Sequence, residues 1–315
     1  MPDKYEGLRK ALSSLEERKA RAQSRLKDGA PPAWHYAIIG LHLEGGSYAF
    51  TQNASITEVE APPSEIELAS ALEKKHLLGA ISRYSQSIRN ELVIQSDATH
   101  DDQWSFNLAW RITSLIRAKT NADILVPAAA SYSWSVIAGV PRDSCRTQLL
   151  EDVPLAKALE GLVKVTPADL DWVDRHLMMF ADLLENPRFR LAVESLTTHH
   201  LQHSERMMVA SLWSGIEAIF GINYELRFRL SALIATSLEP PGTRRVEVHK
   251  RCKKLYDIRS KAVHGAPMKR SEIYEHAIEV RRLLGRIICR FVEEGKLLST
   301  DELEEALLLG AQKAE

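Results

Sequence analysis

No phosphate loop ending in Gly-Lys-Ser/Thr, no G-x-G-x-x-G, no G-x-S-x-G and no H-E-x-x-H occurs in the 315 residues. Nucleotide hydrolysis by a P-loop and serine-esterase chemistry therefore have no sequence support. Cysteine is scarce: Cys145, Cys252 and Cys289 are widely separated, odd in number and without a C-x-x-C pair. That argues against a disulfide framework or a structural zinc module and in favour of a reducing cytoplasm. Long apolar runs are also missing, both as a signal-peptide core near the N-terminus and as a charge-free stretch of membrane-spanning length, so a soluble, unprocessed protein is expected. Net charge is nearly absent too, with 41 Lys and Arg against 42 Asp and Glu. Any affinity for a polyanion must then come from a local patch.

What the chain does have is 45% hydrophobic and 26% charged residues, enough for one large or two ordinary globular domains. Leu8, Leu12, Leu15, Ala22 and Leu26 recur at helical spacing and predict an N-terminal amphipathic helix. Two short apolar runs around Glu44-Gly45-Gly46 predict a hairpin at about residues 36–51. Helical patterns follow at about 65–90 and 103–119, with a strand-like ADILVPA at 122–128. Beyond Thr166-Pro167 nearly everything fits helices, broken at Asn186-Pro187, Gly221, Pro240-Pro241-Gly242 and Gly265 to Pro267. The expected class is α+β: a mixed α/β domain over residues 1–165, then an all-α bundle over 166–315.

Two clusters carry possible chemistry but have simpler explanations. His199 and His203 stand four apart on a predicted helix beside His200, yet no third ligand accompanies them, and no metal is expected. Asp101-Asp102 precedes a helical run and reads as an N-cap before it reads as an acid/base pair.

The most informative stretch is RRVEVHKRCKKLYDIRSKAVHGAP, residues 244–267. Val248, Cys252, Leu255 and Ala262 make an apolar stripe with Arg259 in its middle, and a guanidinium there needs a carboxylate, a water-filled cleft or an anion. His264 follows five residues later and is succeeded by the helix terminator Gly265. On an unbroken helix Arg259 and His264 point about 140° apart. They converge only if the helix ends near Val263, or if each meets its counterpart on a second subunit. An Arg and a His at one cleft suit phosphodiester chemistry, in which imidazole moves a proton and guanidinium offsets phosphoryl charge.

Arg259-Ser-Lys-Ala-Val-His264, within LYDIRSKAVHG and behind the helix SLWSGIEAIFG with its W-x-x-x-E-x-x-F from Trp213 to Phe220, resembles the HEPN superfamily, and within it the Apea-like HEPN domains. The likeness covers about residues 190–295. It implies a helical bundle acting as a homodimer, and a metal-independent endoribonuclease of a defence or toxin-like kind, without cofactor. Arg259 and His264 would be the catalytic pair, with Glu217 holding the arginine. Ser260 stands in the motif position after the arginine, where active members often carry Asn, Asp or His. A non-catalytic HEPN module binding RNA or a protein is the alternative, and the N-terminal domain would sense a trigger or restrain the nuclease. Charge agrees with RNA as partner: residues 243–296 hold 15 Lys or Arg and 7 Asp or Glu. Lys250, Arg251, Lys253, Lys254 and Lys261 are the expected RNA contacts.

Overall fold

The computed structural model describes residues 6–25, 32–72, 79, 81–96, 99–141, 144–151, 162–222 and 226–309. The chain divides into two compact units, Met1–Trp110 with Ala122–Leu170, and Arg111–Asn121 with Asp171–Glu315. The second break falls five residues beyond the one read from the sequence, and the segment Arg111–Asn121 belongs with the helical unit.

The first unit opens with helix α1 (Glu6–Arg25) and is built on strands β1 (Ala33–Ile38), β2 (Leu41–Leu43), β3 (Ser47–Ala49), β4 (Ala54–Glu58), β5 (Asn90–Gln95), β6 (Ala128–Ala130), β7 (Thr147–Leu149) and β8 (Val163–Val165). Six of them form an antiparallel sheet in the order β3-β4-β5-β1-β6-β7. Helix α2 (Glu65–Ala71) starts at a capping box made by Ser64 and Glu67. The start of helix α3 (Asp102–Thr120) is tied to the central strand: the Tyr36 and Ser105 hydroxyls lie 2.9 Å apart, and Trp34 Nε1 donates to Asp102 at 2.7 Å. Asp101 Oδ1 accepts the Trp104 backbone N–H at 2.8 Å, so the Asp101-Asp102 pair caps and anchors a helix.

The expected 36–51 hairpin does not form. β2 and β3 do flank Glu44-Gly45-Gly46, but β2 pairs in parallel with β8, and the Glu44 N–H goes to the Val165 carbonyl. The hairpin lies one strand later, where β3 meets β4 with Ser47 opposite Thr57. Alternation identifies a strand without naming its partner. ADILVPA is likewise shorter as a strand than expected, with a single bridge at Leu125 to Ile39 before β6 begins at Ala128. The 65–90 pattern yields α2 and a 3₁₀ turn at Ser82–Ser87, with 73–78 and 80 outside the described residues.

The helical unit comprises the second half of α3 followed by α4 (Pro167–Leu183), α5 (Pro187–Thr198), α6 (Glu205–Phe220), α7 (Leu226–Leu238), α8 (Thr243–Val263), α9 (Arg270–Glu294) and α10 (Thr300–Leu308). The stripes Val209, Leu212, Ile216, Ile219, Phe220 and Ala277, Val280, Leu284, Ile287, Ile288, Phe291 are all buried. Terminators act where the sequence places them. Asn186 Oδ1 caps α5 by accepting from the Arg188 N–H at 2.9 Å, and Gly221 closes α6 at φ 62°. Two other glycines set interhelical distance. A Cβ on Gly215 would meet Ser195 Cβ at 2.7 Å, and one on Gly285 would meet the Ala118 carbonyl oxygen at 2.8 Å. Among the described residues no helix is long and apolar enough to cross a membrane.

Candidate functional site

Helices α6 and α8 bring the motif residues together. Arg259 and Glu217, 42 residues apart in sequence, form an ion pair with 3.0 Å from the guanidinium Nη2 to Glu217 Oε1, their side chains 20% and 21% exposed. The charge in the apolar stripe is thus compensated by the carboxylate of the W-x-x-x-E-x-x-F helix. The Arg259 guanidinium also lies over the Tyr256 ring, 5.4 Å from its centroid, while Arg259 Nε is buried without a hydrogen bond. Burial raises the Glu217 pKa, and Arg259 offsets that only in part. Tyr256 shows the same balance, raised by burial and lowered by Arg259.

An aromatic and polar chain extends behind this pair. Tyr256 packs edge-on against Trp213 at 5.3 Å, and Trp213 Nε1 donates to His276 Nε2 at 3.3 Å. Burial pushes the His276 pKa down to about 4, in keeping with a ring that must stay neutral to accept from Trp213. The motif tryptophan therefore supports the aromatic floor under Arg259.

α8 ends at Val263, as Gly265 and Pro267 predict, with Gly265 at φ 77°. His264 nevertheless keeps nearly helical angles (φ −85°, ψ 13°), and its N–H donates to the Ser260 carbonyl at 3.0 Å. Its side chain is exposed and makes no hydrogen bond or ion pair among the described residues. The helix end thus leaves Arg259 turned toward α6 and His264 toward solvent, with no polar contact joining them. Ser260, half-buried, seats His264 through its backbone carbonyl.

One residue that seats this helix end escaped the sequence reading. The Arg206 guanidinium donates to the Ala262 carbonyl and, at 2.7 Å, to the Ala266 carbonyl, clamping both sides of His264. Its targets are backbone atoms 56 and 60 residues away, for which no side-chain pattern gives a signal. Tyr256, three residues before Arg259, was within reach of helical spacing.

The basic composition divides on inspection. Arg251 forks onto Glu279, Arg270 pairs with Glu205, Arg286 with Glu239, and Arg290 with Glu294. Arg251 is paired in this way while its side chain stays 55% exposed. Lys250, Lys254 and Lys261 are exposed and Lys253 half-buried, none with an ion-pair partner among the described residues. His199 and His203 do not share a helix face, because α5 stops at Thr198 and His199–Leu201 turn as 3₁₀. Burial holds the His199 pKa well below the usual range, His200 and Arg281 add to the effect, and Nδ1 lies 2.7 Å from the Leu196 carbonyl oxygen. Comparison of the chain with family models, with curated proteins and with solved structures found no match.

Proposed function

We propose that the chain is a metal-independent endoribonuclease of HEPN type, cytoplasmic, acting in prokaryotic antiviral defence or a toxin-like role. The observation that carries this reading is the ion pair between Arg259 and Glu217, two motif residues on separate helices, with His264 exposed at the adjoining helix end. The 2′-hydroxyl of the substrate attacks the neighbouring phosphorus and loses its proton to an imidazole as the P–O5′ bond breaks. The 5′-oxygen takes up a proton, leaving a 2′,3′-cyclic phosphate, and Arg259 offsets the charge that builds on the phosphoryl oxygens. Because Arg259 and His264 face different ways in one chain, the site is completed by a second copy about a two-fold axis, His264 of one protomer serving the Arg259 of its partner. The first unit senses the trigger or restrains the nuclease.

Incubation of the protein with total RNA in EDTA tests this. Cleavage with cyclic-phosphate ends is expected, reduced about a hundredfold or more in His264→Gln and Arg259→Ala. Light scattering should report a dimer. The absence of any polar contact between His264 and Arg259 favours one other reading, a non-catalytic module binding RNA or a protein. A folded His264→Gln protein that still cleaves, or a wild type that never does, decides for it.

A further inference from the structure

The Arg259 face of α8 is turned inward, and the opposite face is where the structure says more. At about 100° per residue, Val246, Lys250, Lys253, Asp257, Lys261 and His264 fall within about 80° of one another. All are exposed or half-buried. Asp257 offsets the stripe only in part, because Arg227 at the start of α7 holds it at 2.5 and 2.8 Å; Arg227 first, then Lys261 and Lys253, keep its carboxyl below the usual range. Lys250, Lys254 and Lys261 are exposed and Lys253 half-buried, and the one other carboxylate of α8 itself is Glu247.

At one end of the stripe stands a large aromatic ring that the core does not use. Phe228 is 58% exposed, and its ring meets that of His249, which precedes Lys250 on α8, edge-on at 5.4 Å. The His249 ring is half-buried with Nε2 lacking a hydrogen bond, and burial together with Lys253 lowers its pKa, so it fixes Phe228 as a neutral support. A fixed aromatic face beside unpaired lysines is the combination that holds single-stranded nucleic acid, each base offering a π-face and each phosphate a charge.

We infer that single-stranded RNA lies along this face of α8, its phosphates on Lys250, Lys253 and Lys261, one base stacked on Phe228, and a scissile phosphate delivered to His264. From His249 to His264 the helix runs fifteen residues, about 22 Å, the length of several nucleotides. The inference rests on the ribonuclease reading and gives it a substrate class, since a duplex keeps its base faces stacked and has none to offer Phe228.

The test is fluorescence anisotropy with a labelled 2′-O-methyl oligouridylate, which lacks the nucleophile, beside the matching duplex, using the full chain. The wild type should bind the single strand and prefer it to the duplex. Phe228→Ala and Phe228→Leu should each bind about tenfold more weakly with the salt dependence unchanged, and Phe228→Trp should bind as the wild type does. Lys250→Gln, Lys253→Gln and Lys261→Gln should each lower the slope of log K against log salt by about 0.7. Circular dichroism checks that the variants are folded. Unchanged binding by folded Phe228→Ala and Phe228→Leu, equal binding of duplex, or no binding by the wild type overturns the inference. Phe228-dependent binding without cleavage of unmodified RNA keeps the docking face and overturns the nuclease.

Discussion

Glu217 and Arg259 are each worth more to the fold as a pair than alone. Removing one partner leaves a partly buried charge, so Glu217→Leu or Arg259→Leu should destabilise the protein by about 1–3 kcal/mol, and the double substitution by less than the sum. Urea denaturation of the four species closes the cycle. Acid should act through His276, with Glu217 opposing it. His276 titrates near the ordinary histidine value of 6.5 when unfolded and at about 4 when folded, so the unfolded state binds the extra proton between them. Its contribution is present above that window and lost on acidification through it, up to about 3 kcal/mol in all. Glu217, whose pKa is raised by burial, works the other way, with stability lost as pH rises through its folded value. On acidification Glu217→Gln should therefore steepen the loss of stability, and His276→Leu should flatten it between pH 6.5 and about 4, in urea titrations followed by tryptophan fluorescence. That Arg259 needs compensation was legible from the charge alone, which left a carboxylate, a wet cleft and an anion open, and the family likeness named Glu217. The role of His276 was not, since a lone histidine on an apolar helix face carries no mark of the indole above it.

Among the elements, α6 is the hub, because it carries Trp213 and Glu217 on one side and packs against α5 through Gly215 on another. Alanine is the better helix former by about 1 kcal/mol, yet Gly215→Ala must displace Ser195 and the Ala192 backbone. Overpacking should win, with a net loss of about 1–2 kcal/mol in chemical denaturation. At the far end of α8, Arg206→Met should cost about 1–2 kcal/mol by releasing two carbonyls. If the nuclease reading holds, it should also lower cleavage at unchanged RNA affinity, because the clamp positions His264 without touching the strand. Helix limits were readable because they are written locally, in Asn186-Pro187, Gly221 and Gly265. Strand partners were not: β2 looks like half of a hairpin by its turn glycines, and only Val163–Val165, over a hundred residues on, says otherwise.

The molecule as a whole is nearly neutral, and Lys250, Lys253, Lys254 and Lys261, without ion-pair partners among the described residues, gather on one helix in a way that the overall charge conceals. Its α+β character was legible from the change of periodicity near Thr166, whereas the exchange of Arg111–Asn121 into the helical unit was not, because one helix pattern runs through Trp110 without a break. A fragment beginning at residue 166 should be poorly soluble, since it lacks the Ala118 backbone against which Gly285 packs and the Lys119 ammonium over Trp172; a fragment from residue 102 onward should do better in a solubility comparison. The same interleaving bears on the order in which the protein is made. A ribosome releases Arg111–Asn121 before Ala122–Leu170, so the first unit stays incomplete while a piece of the second is already outside the tunnel. Neither unit can close at the moment its first residues emerge. The lysine face and His264 lie beyond residue 245, so on the nuclease reading a nascent chain lacks both the strand-holding face and the imidazole until residue 264 has been added.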